Sequence, residues 1–132
     1  MTRWAHHFPT SPITVLNTLN NLGSAAAPAT PVLVKILVGS DDMIERGIVA
    51  VVLGSIGLAA AEAIPQLLTC LQEPGDNPAR IYFRLKVAHA LWCISGESDQ
   101  LVASGLEATK RSERWLRRTG AAMLGELKAA GV

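Results

Sequence analysis

Aromatic residues are scarce in this chain, at 5% of 132 residues, and charged residues reach only 17%. Few aromatics leave Ala, Leu, Val and Ile to fill a core, the composition of closely packed helices. So little charge beside 49% apolar content excludes long disordered segments. Cysteine is nearly absent. Cys70 and Cys93 each sit inside an apolar periodic segment, which excludes a disulfide-rich secreted scaffold and marks both as reduced packing residues of a cytoplasmic protein. No export signal is expected either. Between Arg3 and a cleavage-like AAAPA lies ITVLNTLNNLG, whose Asn17, Asn20 and Asn21 break any apolar signal region. No stretch alternates with period two, so strands are not expected. Nor is there a large charge excess. Residues 1–79 carry three cations against six acids and residues 80–132 carry nine against five. The second half therefore favours an anionic partner, but too weakly for a dedicated nucleic-acid protein.

What is present is helical punctuation. Ser11-Pro12, Thr30-Pro31 and Asn77-Pro78 each place a capping side chain before a proline suited to the first helical turn. Apolar residues three and four apart follow them, and GSAAAPATP, GSDD and EPGDNP separate the segments. The run GIVAVVLGSIGLAAA, from Gly47 to Ala61, is uncharged throughout. As a helix it reaches only about 22 Å, short of a hydrocarbon core of about 30 Å. It is expected to be a buried helix and not a membrane span.

Internal repetition is the strongest signal. ERGIVAVVLGSIG, FRLKVAHALWCIS and LRRTGAAMLGELK align without gaps, with Arg46, Arg84 and Arg117 second and Leu53, Leu91 and Leu124 ninth. One apolar helical face thus recurs three times. Between these A helices lie B helices built from TPVLVKILVGSDD, AIPQLLTCLQEPGD and SDQLVASGLEATK. Such pairs cover their apolar faces only by stacking. The expected fold is all-α: a short right-handed α-α superhelix of about three helix pairs plus a terminal helix. Residues 1–27 form a capping segment with one helix; residues 28–132 carry helices near 31–39, 42–57, 63–73, 78–95, 99–108 and 112–130.

The arginine, the small-and-leucine helix after it and AIPQLLTCL together resemble the HEAT repeat. The likeness is closest to the short bacterial HEAT-like repeats related to phycobilisome-lyase proteins, in the armadillo-like class of α-solenoids. It covers roughly residues 28–131. HEAT repeats often set an acid before the arginine to tie neighbouring repeats, and Asp42 and Glu113 stand four residues before Arg46 and Arg117. The middle copy has Arg80 there instead.

The resemblance implies a non-catalytic protein-binding scaffold. HEAT proteins usually line their partner surface with B helices, which makes Lys35, Gln66, Thr69, Gln72, Ser104 and Glu107 the candidate contacts, with Trp92 as a further anchor. Two alternatives stand beside it. One is a nucleic-acid module using the basic segment 110–118, through Lys110, Arg111, Arg114 and Arg118. The other is a lyase-like or glycosylase-like enzyme of a HEAT fold, for which no general acid or base is evident. Trp115 aligns with Ile44 and Tyr82 and is expected to pack inward. Gly54 and Gly125 share a repeat position where helices approach closely, which Trp92 fills in the middle copy. His6 and His7 lack a third ligand at metal spacing, and His89 reads as a packing histidine. No cofactor or metal is expected. The chain stops within an A helix, and Ile48 and Val51 leave an uncovered apolar face. The partner is therefore expected to be another protein or a second copy of the chain, with no membrane involved.

Overall fold

The computed structural model describes residues 12–131. Among them every regular element is helical: α1 (Pro12–Leu22), α2 (Thr30–Gly39), α3 (Met43–Ile56), α4 (Ile64–Leu71), α5 (Pro78–Ser95), α6 (Asp99–Thr109) and α7 (Arg114–Ala129). Tight 3-10 segments, Gly23–Ala29 and Gly57–Ala63, carry α1 into α2 and α3 into α4.

Local chemistry sets several of these boundaries. Asp42 caps α3 by accepting from the N–H groups of Ile44 (2.9 Å) and Glu45 (3.4 Å). Asn77 does the same for α5, taking the Arg80 N–H at 2.9 Å just before Pro78. Gly57 and Gly96 stop α3 and α5 with φ of 75° and 79°, a conformation that disfavours any residue with a Cβ. Thr30 behaves differently from its expected capping role. It is the first residue of α2, is fully buried, and donates its hydroxyl to the Ala27 carbonyl at 2.8 Å. The 3-10 segment runs straight into α2, so its carbonyls receive the helix's first N–H groups and no side-chain cap is needed.

α1 and α5 flank α3, α2 packs on α3, α4 packs on α5, and α6 packs on both α5 and α7. Burial divides into two apolar clusters. The first joins Leu16, Leu33, Leu37, Val49, Val52, Leu53, Ile56 and Leu67 to Phe83, Val87 and Leu91 of α5. The second joins Ile81 and Leu85 of α5 to Leu101, Leu116, Met123 and Leu127. α5 is therefore buried on two sides, which is why its apolar residues do not form a single stripe.

The uncharged run divides at Gly57. Its first part is the interior of α3, where Val49, Ala50, Val52 and Leu53 are 0% exposed. The stretches Val15–Gly39 and Met43–Leu71 are long and apolar enough to cross a membrane by length and composition. Each is interrupted by one of the 3-10 segments.

Candidate functional site

Burying one side of α3 leaves its other side apolar. Ile44, Ile48 and Val51 face a groove of about 290 Å³ closed by Asn17 and Asn20 of α1 and by Tyr82, Phe83 and Lys86 of α5. The Ser55 hydroxyl bonds to the Asn20 side chain at the α1–α3 seam beside it. Among the described residues Lys86 is the only charged one in the lining, and its ammonium stands 4.9 Å over the Tyr82 ring. Ile44, at the rim, is 69% exposed.

The rim continues onto α7. The Trp115 ring meets Tyr82 edge-on at 5.5 Å and is 48% exposed, so it does not pack inward as its alignment suggested. Leu116, the next residue and 0% exposed, takes the inward position instead. Ile44, Tyr82 and Trp115 hold equivalent places in the three copies and present apolar surface near the starts of α3, α5 and α7.

The repeat arginines act in a common way. Arg46 Nε donates to the Leu37 carbonyl at 2.7 Å, Arg84 to Glu73 at 3.1 Å, and Arg117 to Arg111 and Ser112 at 3.0 and 2.6 Å. Arg46 reaches a carbonyl in the last turn of α2, whereas Arg84 and Arg117 reach carbonyls in the turns just after α4 and α6. Arg46 does more. It forms a two-pronged ion pair with Glu73, lies 4.6 Å over the Phe83 ring and touches the Cys70 sulfur at 3.6 Å. The Glu73 hydrogen bond raises the Arg46 pKa, and the same bond holds the Glu73 carboxyl below its ordinary range. Burial pushes the Cys70 thiol up to about 11. The acid tying Arg46 is thus Glu73 from the turn after α4; Asp42 is occupied as a helix cap and Glu113 pairs with Arg111 at 3.4 Å.

The B-helix candidates lie apart from the groove lining. Lys35 and Gln72 are exposed, Thr69 returns its hydroxyl to the Pro65 carbonyl, and Glu107 stands 3.8 Å from Arg84. Ser104 is half-buried; so is Gln66, whose Oε1 is buried without a hydrogen-bond partner. Trp92 is half-buried, with its ring edge-on to His89 at 5.8 Å. In the basic segment Arg111 is engaged by Glu113, while Lys110, Arg114 and Arg118 are exposed. Gly54 does admit a close helix approach, since a Cβ there would lie 3.3 Å from Ala90 Cα. Gly125 has open space around it, and the tight approach on α7 falls at Gly120. His6 and His7 lie outside the described residues.

One grouping escaped the sequence reading. His89 Nε2 lies 2.8 Å from Glu126 Oε2, and its Nδ1 lies 3.7 Å from the Cys93 sulfur. The Cys93 hydrogen bond and then the Glu126 carboxylate, acting against burial, raise the His89 pKa to about 9. The four-residue spacing of His89 and Cys93 was visible in the sequence; the approach of Glu126 depends on how α7 meets α5. Among the described residues no group of three or more His, Cys, Asp or Glu is arranged to hold a metal ion. Comparison with family models, curated proteins and solved structures finds no match for this chain.

Proposed function

We propose that this protein is a non-catalytic interaction module built as a short HEAT-like solenoid, and that it receives an apolar segment of another protein in the groove along α1, α3 and α5. The observation that carries this reading is the apolar lining of that groove, with Ile44 69% exposed at its edge. A surface of this kind gains by being covered, at about 25 cal/mol per Å². Lys86, the only charge among the described lining residues, suits a partner segment with one carboxylate among apolar side chains. The solenoid reading draws on the alternation of helices and on the three arginines that tie each A helix to the last turn of the B helix before it or to the turn that follows. The proposal takes the protein to be cytoplasmic, a compartment in which the free thiols of Cys70 and Cys93 would stay reduced.

A photo-reactive residue at position 44 tests the groove, with the same residue at Lys35 reporting on the B-helix surface. The expected result is a defined crosslinked protein from position 44, lost when Ile48→Glu places a charge in the groove. Crosslinking from position 35 alone would move the site to the B helices. Crosslinks joining two copies of the chain, with a dimer by light scattering, would replace the foreign partner with self-association.

A further inference from the structure

We propose that Cys93 is a redox modification site: its thiolate reduces a small, neutral hydroperoxide, with His89 as counter-ion and proton donor and Glu126 positioning the imidazole. The proposal is independent of the docking groove. Cys93 and His89 lie four residues apart on α5 and so share a face. The sulfur is 3.7 Å from Nδ1, and the opposite ring nitrogen is 2.8 Å from the Glu126 carboxylate on α7. Nucleophile, base and orienting acid thus stand in one chain of hydrogen bonds, the relation that activates a weak nucleophile. Cys93 is exposed, so a small oxidant reaches it directly.

The surroundings select the chemistry. Cys93 sits in the last turn of α5, whose N–H groups are used within the helix. No pair of N–H groups is free there to stabilise the oxyanion of an acyl-transfer intermediate. Attack on a peroxide needs none. A sulfur electron pair forms the S–O bond as the O–O bond breaks, and the departing hydroxide takes the imidazolium proton and leaves as water. Sulfur loses two electrons and becomes sulfenic acid, while the peroxide is reduced by two. The C-terminal end of the α5 dipole opposes negative charge on this sulfur. The adjacent imidazole is the group that faces the sulfur, 3.7 Å away.

Few other charges face the ring. α7 contributes Glu126; α3 carries its titratable residues, Glu45 and Arg46, in its first turn. On α5, Lys86 is drawn over Tyr82, and on α6, Glu107 stands against Arg84.

The test treats the full chain with hydrogen peroxide, traps sulfenic acid with dimedone and measures adducts at both cysteines by mass spectrometry as pH is varied. Cys93 is expected to label and Cys70, buried beneath Arg46, to remain unlabelled. His89→Asn is expected to slow labelling by about tenfold. In the native chain the rate falls as the imidazolium is lost near pH 9. Glu126→Gln is expected to move that fall to lower pH without abolishing the reaction. Equal Cys93 rates in the native chain and His89→Asn, or a pH profile unchanged by Glu126→Gln, would overturn the proposal. Glu126 is half exposed, so its variant decides the matter even where His89→Asn loses the fold.

Discussion

Replacing Arg46 with alanine should be among the most damaging single changes in this chain. The guanidinium is held by both Glu73 oxygens, by the Leu37 carbonyl at 2.7 Å and by the Phe83 ring at 4.6 Å, and the residue is 8% exposed. Hydrogen bonds to a charged group contribute about 1.5–3 kcal/mol, and the cation–π contact adds about 0.5–1 kcal/mol. Breaking a fully buried ion pair costs about 3–5 kcal/mol. The lower part of that range applies here, because the Glu73 side chain is 27% exposed and keeps Arg80 at 3.3 Å. The overlapping effects amount to about 3 kcal/mol. Arg117→Ala is the control, since Arg117 is exposed and bonds two carbonyls. It should cost about 1 kcal/mol. Urea unfolding at neutral pH measures both, as midpoint shifts at constant slope. A double-mutant cycle with Glu73→Ala should return a coupling of about 1–2 kcal/mol. Equal losses for the two arginines, or a coupling near zero, would refute the inference that Arg46 fastens α3 to the turn after α4.

Gly120→Ala should destabilise by about 1–3 kcal/mol, because the added Cβ would lie 2.8 Å from both the Gly105 carbonyl and Ala108 Cβ; thermal melts measure it, and an unchanged midpoint would mean that α6 and α7 separate freely. Gln66→Leu should stabilise by about 1 kcal/mol by removing a buried carbonyl oxygen without a partner, read in the same urea titration. Stability should also fall towards both pH extremes. The raised His89 pKa contributes fully below the ordinary imidazole value near 6.5, and that contribution is lost as pH rises through about 9. The depressed Glu73 pKa contributes above the ordinary carboxylate range and is lost as pH falls through its folded value. His89→Asn should flatten the alkaline side of a stability–pH curve and Glu73→Gln the acid side.

Helix boundaries were legible where neighbouring residues decide them, as at Asn77-Pro78 before α5. Their capping needs only a side chain and the N–H groups next to it, all within a few residues. The all-helical class was legible for a similar reason, since apolar spacing of three and four is a local signal. The repeat alignment found the arginines but not their acid. Glu73 is 27 residues from Arg46, and nothing local distinguishes it from Asp42. Trp115 was misplaced because residues 115 and 116 are both large and apolar, and only the angle of α7 against α5 decides which one turns inward. The groove was half legible: Ile48 and Val51 announced surplus apolar surface, while its walls of Asn17, Tyr82 and Lys86 depend on packing between helices far apart in sequence.

The two-sided burial of α5 bears on how this protein can be divided. A cut in the exposed stretch Pro74–Asn77 would look harmless by local exposure. Yet the upstream piece would lose Phe83, Val87 and Leu91 from its own core, and the downstream piece would carry those side chains into water. Neither piece is self-sufficient, so the two should recover their structure only by finding each other. A split at this loop thus gives a pair of complementing halves rather than two small domains, with reassembly reported by restoration of helical signal on mixing.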